Sequence, residues 1–67
     1  MDEEMRVKAQ ELVDYLYRLG LKEDRILGVV NPLEIAKHVE QLTEWIKKNK
    51  ITDPNEMRKQ AIMISQN

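Results

Sequence analysis

The residues of this chain that could take part in catalysis are few and widely separated. His38 is the only histidine, Ser65 is the only serine, and the threonines are Thr43 and Thr52. Nucleophilic catalysis needs a hydroxyl or thiol, a base beside it and a third group that orients the base. The chain has no cysteine, and the remaining candidates do not form such a set at plausible spacing. We therefore predict that the protein is not an enzyme and has no catalytic residue.

Glu34 and His38 are the pair with the best spacing for metal ligands, because a helix places residues four apart on one face. Zinc sites use three or four protein ligands, so this pair is incomplete without ligands from other helices. A pair of surface side chains is the simpler interpretation. Gly20 and Gly28 are too far apart in the sequence for a glycine-rich phosphate loop. We expect no metal, no cofactor and no small-molecule substrate.

Large apolar side chains provide better candidates, for a protein-binding surface. The spacing of His38 and Trp45 places both on one edge of a predicted helix, and an exposed tryptophan is a typical interface anchor. Alternatively, Trp45 covers the edge of a small core. The last predicted helix is apolar on several sides, which indicates either burial by a partner or a central place in the bundle. The predicted interaction residues are Trp45, Met57, Ile62, Met63 and Ile64.

Basic residues surround the connection between the last two predicted helices, where they could contact phosphates or complement the helix dipole. Asp53 and Glu56 interrupt the group, and no aromatic residue accompanies it to stack on bases. A helix-turn-helix with Gly20 in the turn would open its recognition helix on Glu23 and Asp24, which DNA repels. The candidate nucleic-acid residues are Lys47, Lys48, Lys50, Arg58 and Lys59.

Composition and length exclude several further classes of protein. The net charge of −1 and the pI of about 5.8 give no overall attraction to nucleic acid or to acidic membranes. No apolar run is long enough to span a membrane, and the acidic N-terminus does not resemble a signal peptide. We expect one cytoplasmic domain, residues 1–67. A domain this small buries only about 60% of its unfolded surface, which favours self-association.

The apolar periodicity predicts an all-α fold, a small bundle of three to four helices. The first helix covers residues 2–19 and ends at Gly20, and the last covers residues 54–65. Residues 21–30 are ambiguous: a short helix over 22–27 is preferred, and an extended segment over 26–30 is the alternative. Gly28 argues against a long helix there.

Two similar tetrapeptides predict helix starts, Asn31-Pro32-Leu33-Glu34 and Asp53-Pro54-Asn55-Glu56. In each, Asn or Asp supplies the N-cap acceptor, and proline occupies the first helical position, where its missing N–H is no loss. Glutamate follows three residues after the cap, where it complements the positive end of the helix. The third helix is accordingly predicted over residues 32–49 and the last over 54–65.

These patterns favour a non-catalytic, helical protein-interaction or regulatory module that self-associates, most simply as a dimer, through its last helix and the Trp45 edge. The alternative is a small DNA-binding regulator of transcription or replication that uses a helix-turn-helix-like or basic C-terminal surface. Small, charged proteins rich in Lys, Glu and Ile are typical of regulators encoded by bacteria, phages or plasmids.

Overall fold

Four α-helices and their connections make up residues 2–66, the part of the chain that this computed structural model describes. In chain order they are α1 (Glu3–Arg18), α2 (Glu23–Val30), α3 (Ala36–Asn49) and α4 (Pro54–Ser65). No strand occurs within these described residues. The prediction of a small all-α bundle is confirmed, with four helices rather than three.

Helix α1 begins and ends much as its sequence predicts. The Asp2 carboxylate accepts a hydrogen bond from the Met5 amide at 2.7 Å, which satisfies one of the amides left unpaired at a helix start. At the other end Gly20 has a φ of 94°, and the Leu21 amide donates to the Leu16 carbonyl at 3.1 Å. A left-handed glycine with this hydrogen bond is a common helix stop. The prediction that Gly20 ends the first helix is confirmed.

Residues 23–30 form helix α2, so the extended alternative for residues 26–30 is wrong. Ile26 and Val29, three residues apart, are buried on one face of this helix, and that burial outweighs the poor helix propensity of Gly28. Gly28 lies beside the aliphatic part of Arg58 from α4, because a Cβ at this position would be 3.9 Å from the Arg58 Cδ.

Helix α3 begins at Ala36, four residues later than predicted, because Asn31-Pro32-Leu33-Glu34 forms a turn instead of a helix start. Asn31 ends α2, with its amide donating to the Leu27 carbonyl at 2.9 Å. Leu33 then turns into the core and is only 5% exposed. The N-cap position of α3 falls on Ile35, whose side chain provides no capping hydrogen bond. Burial of Leu33 therefore outweighs the local capping signal.

Helix α4 has the predicted bounds, and here the Asx-Pro signal operates as expected. The Asp53 carboxylate accepts a hydrogen bond from the Asn55 amide at 3.0 Å, and Pro54 is the first helical residue. Local capping and burial agree at this position, since Met57 enters the core one turn later.

The helices pack so that α1 lies against α2 and α3, and α4 lies against the same two helices. This order places a groove between α3 and α4 and a second groove between α1 and α3. One apolar cluster joins all four helices. Its buried members are Met5, Leu12, Leu16, Ile26, Val29, Leu33, Val39, Leu42, Ile46, Met57 and Ala61.

Candidate protein-binding groove between α3 and α4

One edge of α3 forms a wall of the candidate site. Seven residues separate His38 from Trp45, which is close to two helical turns, so both side chains lie along one line of the helix. The buried stripe of Val39, Leu42 and Ile46 fixes the rotation of α3 and turns this line toward α4. The shared edge that the spacing predicts is therefore present, and both side chains are half-buried on it.

Helix α4 supplies the opposite wall through Gln60 and Ile64, which are one turn apart. The groove between the two helices has a volume of about 690 Å³. Trp45 and Ile64, on opposite walls, also pack against the core, so the hydrophobic interior of the protein extends directly into the groove. The lining residues are Ile35, Lys37, His38, Gln41, Trp45, Gln60 and Ile64.

One residue that lines this groove, and the sequence neighbour of another, are among the most exposed apolar side chains of the described residues. Ile35 at the start of α3 is 49% exposed, and Met63, next to Ile64 on α4, is 59% exposed. Trp45 and Ile64 between them are half-buried. Half-exposed aromatic and aliphatic groups around a concave surface gain free energy when a partner removes them from water. The arrangement is suited to binding an apolar protein surface.

The apolar residues of α4 that we singled out from the sequence are divided among different environments. Met57 is fully buried and belongs to the core, so it does not lie on the binding surface. Ile64 lines the groove, whereas the exposed Met63 and the half-buried Ile62 are outside the groove lining. Packing of α4 against both α2 and α3 accounts for much of its all-round apolar character. Of the remaining apolar residues, Ile64 lines the groove.

Sequence reasoning missed Ile35 as a surface residue of this groove. The predicted third helix began at residue 32, so Ile35 fell within its apolar stripe. Because α3 begins four residues later, Ile35 occupies the N-cap position instead and remains half-exposed. The same shift separates Glu34 from His38, since Glu34 lies before the helix and the two do not share a helical face. No pattern in the sequence indicates this later start of α3. The burial of Leu33, which the structure shows, is what accounts for it.

His38 contributes an unusual polar atom to the groove wall. Its Nδ1 atom is buried and has no hydrogen-bond partner among the described residues. A buried polar atom without a partner is uncommon in native proteins and is usually destabilising. No hydrogen bond at this nitrogen therefore fixes the orientation of the histidine ring within the described residues.

The acidic groove between α1 and α3 is a separate and smaller surface. It has a volume of about 180 Å³ and includes three carboxylates, of Glu11, Glu40 and Glu44. The Lys8 ammonium lies 3.7 Å from a Glu40 oxygen. Within residues 2–66, no group of three or more His, Asp and Glu side chains is arranged to hold a metal ion.

All five basic candidates are exposed, but they do not face the same neighbour. The Lys47 ammonium lies 5.1 Å from the centre of the Tyr15 ring, over α1. Arg58 lines a cleft between α2 and α4 that also contains Asp24 and Arg25. Lys48, Lys50 and Lys59 make no ion pair within the described residues. The basic residues surround the α3–α4 connection rather than lining one groove.

Among the described residues, no helix has both the length and the apolar character needed to cross a bilayer. Comparison with protein-family models, with curated proteins and with solved structures found no match to this chain.

Proposed function

We propose that this protein is a non-catalytic interaction module of the cytoplasm that binds a second copy of itself through the α3–α4 groove. Self-association would cover the exposed side chain of Ile35, which lines the groove, and it could also cover Met63, the exposed neighbour of Ile64. It would also bury the remaining exposed parts of Trp45 and Ile64. The observation that carries the proposal is this one concave surface, at which half-exposed apolar side chains from two helices meet.

The small size of the chain also supports a partner. A domain of this length leaves a large part of its apolar surface in contact with water and has little stability to spare. Association with a second folded copy stabilises the folded state by mass action. We therefore expect a melting temperature that rises with protein concentration, together with a monomer–dimer equilibrium in sedimentation velocity.

The variant Ile35→Ser tests the groove without damaging the fold. Serine is a favoured N-cap residue, whereas Ile35 provides no capping hydrogen bond, so the substitution improves the start of α3. It also removes an apolar side chain from the groove rim. We expect weaker association in sedimentation experiments, with helical content in circular dichroism that is unchanged or increased.

The control for Ile35→Ser is Leu27→Ser. Leu27 on α2 is equally exposed, at 49%, and lies outside the groove lining. Its replacement should leave the dimerisation constant unchanged. A wild-type protein that stays monomeric at all accessible concentrations would contradict the proposal, as would equal weakening of association by both substitutions.

The DNA-binding alternative makes a different prediction. Contacts from the five basic residues to phosphates would release counterions, so binding to duplex DNA would fall steeply with salt concentration. Titration of labelled duplex DNA with the protein at low ionic strength tests this directly. Salt-dependent binding that the exchange of Lys48 and Lys59 for Glu abolishes, in a protein that does not self-associate, would favour the alternative over the interaction module.

A further inference from the structure

We propose that the outer face of α3 is a self-complementary interface, in which α3 of two copies pack antiparallel about a two-fold axis at Gln41. This inference rests on the proposed function, because it specifies the arrangement of the self-association. The occupant of the surface is therefore a second copy of this chain.

Two lines of side chains run along this face of α3. Lys37 and Glu44 are seven residues apart, as are His38 and Trp45, and seven residues make nearly two helical turns. Each pair therefore lies along one edge of the face, with Gln41 at the middle of it. Lys37, Gln41 and Glu44 are exposed, while His38 and Trp45 are half-buried beside the groove. The face is thus accessible to a partner. Each of its edges carries one residue on either side of Gln41, at nearly the same distance from it.

A two-fold axis perpendicular to both helices brings each edge of α3 against the same edge of the second copy, with its direction reversed. With the axis at Gln41, Lys37 lies four residues to one side of the axis and the second copy's Glu44 lies three residues to the same side. The two side chains therefore differ in height along the helix by one residue, about 1.5 Å. On the other edge His38 meets the second copy's Trp45 in the same way. Because of the two-fold symmetry, each of these contacts occurs twice in the dimer.

The charges on this face favour the antiparallel arrangement. Neither Lys37 nor Glu44 forms an ion pair within the described residues, so both remain available to a partner. The antiparallel arrangement pairs each of them with the opposite charge, whereas a parallel two-fold arrangement would place the charged edge against the His38–Trp45 edge. Across the other edge, stacking of an imidazole on an indole ring is favourable. This charge complementarity is what identifies a second copy as the partner.

The aromatic edge of the interface is continuous with the groove rim. A stable interface commonly buries about 800 Å² on each partner, more than one face of a short helix provides. Ile35 at the start of α3, with Ile64 of α4, adds apolar area on the His38–Trp45 side. The antiparallel pair therefore combines a charged edge, which sets the orientation, with an apolar edge, which supplies most of the affinity.

A charge-exchange series tests this arrangement. The dimerisation constant is measured by sedimentation equilibrium at low ionic strength for wild type, Lys37→Glu, Glu44→Lys and the double variant Lys37→Glu/Glu44→Lys. Each single substitution creates two like-charge contacts and should weaken the dimer by about tenfold. The double variant restores opposite charges and should recover most of the wild-type affinity. Circular dichroism of every variant confirms that the fold is retained.

Glu23→Lys is the matched control for Glu44→Lys, because it changes the net charge equally at an exposed site of α2 that lines neither groove. It should leave the dimerisation constant unchanged. If wild type dimerises and the double variant is no tighter than the single variants, or if Glu23→Lys weakens the dimer as much as Glu44→Lys does, this arrangement is wrong and the proposed function stands. A wild type that never dimerises overturns both.

Discussion

Lys50, at the end of α3, adopts a backbone conformation that most L-amino acids avoid. Its φ of 54° and ψ of 45° are left-handed, yet the Ile51 amide still donates to the Ile46 carbonyl at 3.0 Å, as in a glycine-terminated helix. Left-handed backbone costs a residue with a Cβ about 1–2 kcal/mol. The hydrogen bonds that end α3 hold Lys50 in this strained geometry.

Replacing Lys50 with glycine should therefore stabilise the protein. Relief of the strain exceeds the greater freedom that glycine gives to the unfolded chain, for a net gain of about 0.5 kcal/mol. Urea unfolding, followed by circular dichroism, measures the difference. Lys48→Gly serves as the control, because glycine within α3 should lower the free energy of unfolding by about 1 kcal/mol. A loss of stability in both variants would show that Lys50 is not strained.

At the scale of the elements, the two Asx-Pro tetrapeptides show what local sequence decides and what it does not. Both contain the residue types that favour a helix start, and Asp53 does cap the start of α4. Asn31 instead ends α2, because Leu33 must reach the core in the turn that follows. Capping and periodicity are local properties and predict α1 and α4 well. The start of α3 depends on which apolar side chain the other helices bury, and local patterns contain no information on that.

Leu33→Ala tests this account of the α2–α3 connection. Leu33 is 5% exposed and packs in the main core, so its truncation should lower the free energy of unfolding by about 2–5 kcal/mol. Glu34→Ala, at the exposed neighbouring position, should change it by less than about 0.5 kcal/mol. Chemical denaturation of the two variants provides the comparison. Similar small effects would mean that the turn is not anchored by Leu33.

The sequence predicts only part of the candidate site, because it does not reveal how the helices pack against one another. Spacing within one helix places His38 and Trp45 on a shared edge, and that edge lines the groove. The side of α4 that faces outward depends on the packing order of the helices, which no spacing within α4 reveals. Met57 and Ile64 are seven residues apart, which puts them on nearly the same side of α4, yet Met57 is in the core and Ile64 is at the groove.

At the scale of the whole molecule, the single tryptophan provides a direct probe of the proposed dimer. Trp45 lines the groove and is half-buried in the single chain. Association through this surface transfers the remaining exposed part of the indole from water to an apolar environment. Its fluorescence emission should therefore shift to shorter wavelength as protein concentration rises, with the same midpoint as dimerisation measured by sedimentation.

The variants separate this fluorescence signal from nonspecific effects. Glu44→Lys should require a higher concentration to produce the same emission shift, whereas Glu23→Lys should follow the wild-type curve. Both changes raise the net charge equally and leave Trp45 in place, so general electrostatic repulsion cannot produce a difference between them. An emission spectrum that stays constant while sedimentation detects a wild-type dimer would locate the interface on another face of the bundle, away from the α3–α4 groove.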